Sequence, residues 1–202
     1  MLSTHQNLVH KNLTHTTVES LTNTLKMYGV DIETWGKGDA KSVKQFLKEL
    51  IDKESFLYFD GNRIFRTVYP LFVKITRSDG LVLKEIEQFF HAHDDEPEKR
   101  RNRLCDLAEK RYPNESVRKS LERAIKEELA IDRNIENFTF VEKEVHEFSS
   151  ASYPGLYCIK YNITVCITEE DLGCQIPDGY KVTENFEDNS PRLTTTWAWR
   201  EE

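Results

Sequence analysis

The sequence predicts an α+β fold with a mixed sheet, one central helix set between two groups of strands, and a helical extension ahead of them. Three observations predict it: helical periodicity of apolar residues in two segments before residue 52, alternating β-branched and aromatic runs after residue 55, and one long amphipathic pattern over 115–129. The expected boundaries are 1–62 for the extension together with the start of a hairpin, and 63–202 for the principal domain. A chain of 202 residues suits one well-buried core plus an appendage better than two ordinary domains.

In the extension, Val18, Leu21, Leu25 and Tyr28 recur at helical spacing, and Gly29 stands where a helix would end. A second helix follows, with Asp39 as the expected N-cap and Val43, Phe46, Leu47, Leu50 and Ile51 on one face. Then FLYF, the turn residues Asp60–Asn62 and RIFRTVYPLFVKI read as a hairpin. Pro70 lacks a ladder donor and is expected at an edge or bulge. A turn at Ser78, Asp79 and Gly80 leads into the strand LVLKEIEQFFH, and HAHDDEPEKRRNR reads as a loop. Beyond the central helix, NFTFVEKEVHEF and YCIKYNITVCI read as strands. In the latter, Tyr157, Ile159, Tyr161, Ile163, Val165 and Ile167 are expected to line one buried face. TTTWAWR, with Trp197 and Trp199 on one face, is the expected last strand.

Composition narrows the function. With 38% apolar and 11% aromatic residues, the chain has what a packed core requires, unlike a disordered segment. A net charge of -7 argues against bulk nucleic acid or an anionic membrane as the main partner. No run approaches the ~20 apolar residues of a membrane helix, and the N-terminus lacks the apolar core of a signal peptide, so a cytoplasmic protein is expected. Cys105, Cys158, Cys166 and Cys174 show no metal-ligand spacing, and reduced thiols are expected. Cys158 and Cys166 share a strand face but stand roughly 26 Å apart at ~3.3 Å per residue, too far to bond or share a metal.

The chemistry concentrates in EKRYPNESVRKSLERAIKEELAI. Val117, Leu121, Ile125 and Leu129 form the core face of a helix, with Ala124, Glu127 and Glu128 on an adjoining stripe. Glu128 lies at the margin of the core, where a carboxylate without a cation is costly, so a positive charge is expected to meet it. Arg123, four residues before Glu127, also permits a simple surface ion pair.

This segment resembles the Nudix box, written Gx5Ex7REUxEExGU with U a bulky aliphatic residue. Glu115, Arg123, Ile125, Glu127, Glu128 and Ile131 occupy its places at the family's spacing. The resemblance implies a Nudix-like α/β/α sandwich and a metal-dependent pyrophosphohydrolase acting on a nucleoside diphosphate linked to another moiety, a nucleotide-derived small molecule. It further implies magnesium or manganese as the cation, with Glu127, Glu128 and Glu115 as the metal site and Glu127, Glu128 and Arg123 as the catalytic group. Three places depart from the pattern: Glu109 and Ala130 replace its glycines, and Ala124 replaces the Glu after the arginine. Glu109 is expected to face solvent. The missing carboxylate opens an alternative, a catalytically degenerate module that binds a nucleotide or a protein partner without hydrolysis. Glu85, Glu87, Glu169, Glu170 and Glu184 are candidates to replace it.

Three further features complete the reading. Lys99, Arg100, Arg101 and Arg103, with Lys110 and Arg111 beyond, either contact the substrate's phosphates, Arg103 and Arg101 foremost, or balance Asp94, Asp95, Glu96 and Glu98 in a solvated loop. His91, His93 and Asp94 allow a transition-metal site, with solvated histidines as the ordinary explanation. Trp35–Gly38 lacks P-loop spacing and reads as a turn and cap, unless Trp35 docks the extension on the sheet. Oligomeric state is not legible.

Overall fold

The computed structural model describes residues 11–12, 14–93, 97–112 and 114–202. Within it the chain forms two compact units. The first holds the described residues up to Pro70 together with 110–112 and Glu144–Asn162; the second holds the described residues of Leu71–Glu109, Asn114–Lys143 and Ile163–Glu202.

The first unit begins with strand β1 (Lys11–Asn12) and helices α1 (Val18–Met27) and α2 (Val43–Ile51). Thr17 caps α1 through its side chain. The cap of α2 is Ser42 rather than the expected Asp39: its hydroxyl takes the Gln45 N–H while the Gln45 side chain takes the Ser42 N–H. The helices bury Leu21, Leu25, Phe46 and Leu47 against Leu57 and Ile64 of an antiparallel hairpin, β2 (Phe56–Phe59) and β3 (Ile64–Val68). The hairpin turn is fixed by Asp60, whose Oδ1 accepts the N–H groups of Asn62 and Arg63 at 2.9 Å, with Gly61 at φ 97. Trp35 is buried here. Its indole donates to the Pro154 carbonyl at 2.8 Å and its ring meets Phe46 and Tyr153.

Pro70 opens a new strand, β4 (Pro70–Thr76), so the long apolar run is two strands rather than one. A proline is tolerated as the first residue of a strand because its missing N–H falls outside the ladder. β5 (Val82–Phe90) follows as expected. The basic run does not lie in a loop. It forms β6 (Lys99–Cys105), antiparallel to β5, and is followed by β7 (Leu107–Lys110). Its hydrophilic sequence hid it, because an edge strand with little buried surface needs no apolar alternation.

Helix α3 spans Val117–Leu129. It starts two residues later than expected because Ser116 is the N-cap, accepting the Lys119 N–H, which leaves Glu115 outside the helix. It ends at Ala130, which caps it in the left-handed conformation, φ 55. β8 (Thr139–Ser149), β9 (Tyr157–Thr168), the one-turn α4 (Glu169–Leu172), β10 (Tyr180–Asn185) and β11 (Pro191–Arg200) complete the chain. β9 runs parallel to β3 in its first half and parallel to β4 in its second, while β5, β11 and β10 pair antiparallel. The sheet is therefore mixed and the class α+β.

The alternation expected along β9 holds from Ile163 to Ile167, where Ile163, Val165 and Ile167 are buried. Earlier it fails: Cys158 and Ile159 are both buried, since each face of the strand is covered there. In the second unit Leu121, Ala124, Ile125 and Leu129 of α3 share a core with Val73, Ile75, Val165, Trp197 and Trp199, and Val117 packs at its margin. No helix among the described residues is long and apolar enough to cross a membrane.

Candidate functional site

Glu109, Glu115 and Glu127 of the second unit gather around Arg123. Its Nε and Nη2 make a two-point contact with Glu115, at 3.2 and 3.0 Å, and Nη1 reaches Glu127 at 3.1 Å and Glu109 at 3.2 Å. Glu115 can fold back in this way because it precedes the N-cap, and Ser120 donates to it at 2.8 Å. Glu109 does not face solvent as expected. It sits on β7 with its side chain only 20% exposed, turned onto the guanidinium. Burial works against the Arg123 charge, but the hydrogen bonds and field of Glu115 and Glu109 outweigh it and raise the pKa above the usual arginine value.

Glu128 stands apart from this cluster. It is half-buried on α3, and no cation pairs with it among the described residues, contrary to the expectation of a positive neighbour. Burial is the main cause that pushes its pKa up to about 7, followed by the fields of Glu109, Glu184, Glu85 and Glu127. Of the five candidates for a replacement carboxylate, Glu85 and Glu184 are the two whose charge acts on Glu128. Glu87 is paired with Arg100 at 3.2 Å, and Glu169 caps the Ile176 N–H.

Glu85 is the buried member, 3% exposed, with its pKa raised by burial and partly restored by Arg103 and Arg101. Arg103 pairs with it at 2.8 Å and donates to the Cys105 sulfur. Arg101 is exposed on β6, opposite Gln88. Arg103 thus contacts a carboxylate directly, while Arg101 acts on Glu85 through its field.

Ala124 is fully buried in the core. Its place on the helix leaves no solvent-filled space for a third carboxylate. Among the described residues, no three His, Cys, Asp or Glu side chains are arranged to hold a metal ion. The donors around Glu128 are all hard oxygens carrying mutually repelling charge, so they suit a divalent cation in chemistry without being preset in ligand geometry.

The remaining candidates resolve into local contacts. The His91 ring bonds the Thr194 hydroxyl at 2.8 Å, and His93 stacks on Phe186, while Asp94 lies outside the described residues, as do Asp95 and Glu96. All four cysteines are free thiols. One cluster escaped the sequence reading. In the first unit Glu49, 5% exposed, is bonded to Lys41, Ser55, Arg66 and Tyr153 at 2.6–2.9 Å. Burial would raise its pKa, but Arg66, Lys41 and Ser55 hold it at about 2. Only the position of Glu49 on the core side of α2, next to Phe46, hinted that it would be buried.

No family model matches the chain, and no curated protein matches it. Solved structures do. An Ap4A hydrolase from C. elegans aligns over 67% of this chain and 80% of its own, with 14% identity and a TM-score of 0.32. The E. coli ORF135 protein aligns over 67% of this chain and 74% of its own, with 19% identity and a TM-score of 0.30. Likeness at this level fixes neither activity nor substrate.

Proposed function

We propose that the second unit is a Nudix-type pyrophosphohydrolase that cleaves a nucleoside diphosphate linked to another moiety with the help of magnesium or manganese. The observation that carries this reading is Glu128, a half-buried carboxylate held near pKa 7 by burial and the fields of four others, with no cation paired to it among the described residues. Leaving such a group without a counterion costs stability, and a divalent cation is the partner that offsets it.

In this reading Glu128 is the central ligand, with Glu127 beside it and Glu85, Glu109 and Glu184 facing it. Arg123 holds Glu115, Glu127 and Glu109 in a fixed arrangement. Arg101 and Arg103 offer positive charge to the substrate phosphates. Glu85, raised by burial, takes the proton that a box glutamate at position 124 would otherwise accept. When bound, the cation neutralises pyrophosphate charge and makes water a better nucleophile.

The test is a panel of dinucleotides, nucleotide sugars, nucleoside triphosphates and capped RNA, assayed with magnesium and with manganese. Turnover is expected for at least one member and is expected to vanish in Glu128→Gln. Turnover that survives both Glu127→Gln and Glu128→Gln rules out this site.

The buried Ala124 favours a second reading, a module that binds a nucleotide or a protein partner without hydrolysis. Calorimetry with a nonhydrolysable nucleotide separates the two. Ligand binding that needs no divalent ion, with no turnover across the panel, selects the binding module.

A further inference from the structure

The first unit contains an open cavity of about 320 Å³ whose wall includes Arg66, Lys110, Lys160, Phe148, Ser150 and Ser152. Three cationic side chains meet there in a chain of net charge -7, and among the described residues no carboxylate lines the cavity. Arg66 is held rigidly, its side chain 12% exposed, by Glu49 through Nη2 and by Ser55 through Nε, both at 2.9 Å. Its third nitrogen, Nη1, has the Cys158 sulfur at 3.7 Å, a weak acceptor that leaves most of its donor capacity unused. Lys110 is anchored by Glu54, and Lys160 lies across the ladder from Val68 on the cavity face. Phe148 adds an aromatic wall that is 41% exposed.

A fixed guanidinium with spare donors, two ammonium groups and two hydroxyl-bearing serines form a receptor for an oxyanion. The cavity is near the lower end of the ~300–1,000 Å³ range of small-molecule sites, which favours a compact ligand over a dinucleotide. We propose that this cavity binds a small organic oxyanion, its phosphate or carboxylate head on Arg66, Lys110 and Lys160 and its apolar body against Phe148. The site is built from the first unit alone and does not rest on the reading of Glu128.

Calorimetric titration of the full chain with phenyl phosphate, benzoate and inorganic phosphate tests it. Phenyl phosphate or benzoate is expected to bind, and which of the two is tighter identifies the head group. Lys160→Gln should weaken that binding about tenfold, equivalent to about 1.4 kcal/mol. Phe148→Ser should weaken phenyl phosphate or benzoate while leaving inorganic phosphate unchanged. Unaltered circular dichroism in each variant excludes misfolding as the cause. Lys181→Gln, which removes an exposed cation of the second unit outside both sites, should leave all three titrations intact; loss of binding in that variant would show that general surface charge holds the anion and overturn the proposal. So would the absence of binding by all three anions at millimolar concentration, or binding indifferent to Lys160→Gln.

Discussion

Two glutamates drawn away from solvent titrate in opposite directions. Glu49 sits among Arg66, Lys41, Ser55 and Tyr153, so its pKa falls to about 2. Its unfolded value is about 4.3, so the stability it contributes is complete above that pH and is lost as pH falls toward 2, on the order of 3 kcal/mol. Acid titration followed by circular dichroism should show unfolding begin below about pH 4 and be largely removed from that window in Glu49→Gln, which is destabilised at neutral pH instead. Glu128 behaves the other way. With its folded pKa at about 7, it favours the fold at low pH and loses that contribution as pH rises through 7. Glu128→Gln should therefore stabilise the chain at pH 8 in a chelator by on the order of 1–3 kcal/mol, read as a higher melting temperature, while abolishing any stabilisation by magnesium or manganese.

At the scale of elements, α3 shows how single positions at its end and on its core face set stability. Ala130 caps it in the left-handed conformation, φ 55, which costs an L-residue about 1 kcal/mol and glycine little. Ala130→Gly should stabilise the chain by about that amount in denaturant titration. Ala124 is the converse. It is fully buried in the core beside Leu121 and Ile125, on the stripe that carries Glu128. Ala124→Glu places another carboxylate where repulsion already raises Glu128, and should destabilise the metal-free chain by several kcal/mol. A gain in turnover from this variant would be expected only with a divalent ion present to offset that cost. β6 illustrates a different rule: its four cations sit on a strand because the ladder to β5, rather than burial, holds it in place.

For the whole molecule, the proposed function requires cation binding and proton binding to compete at Glu128. Added magnesium or manganese should raise the melting temperature more at pH 8, where Glu128 is ionised, than at pH 5.5, where it holds a proton. An equal shift at both pH values would show that the ions act elsewhere.

The sequence by itself determined the class of the fold and the presence of the helix that carries Glu127 and Glu128. Apolar spacing of four along Val117, Leu121, Ile125 and Leu129, and the alternation from Ile163 to Ile167, are local periodicities that burial must satisfy, so they are legible without coordinates. Hydrophilic elements with little buried surface, such as β6 and β10, leave no such trace. Tertiary structure alone decided the partners of the charges. It turned Glu109 onto Arg123, set Glu85 and Glu184 before Glu128, and sank Glu49 among Lys41, Arg66 and Tyr153. Glu49 and Tyr153 are 104 residues apart, and Glu85 and Glu128 come from different elements, so no local spacing records them. A carboxylate's pKa depends on which charges the folded chain brings within a few ångströms, and that proximity is a property of packing rather than of order along the chain.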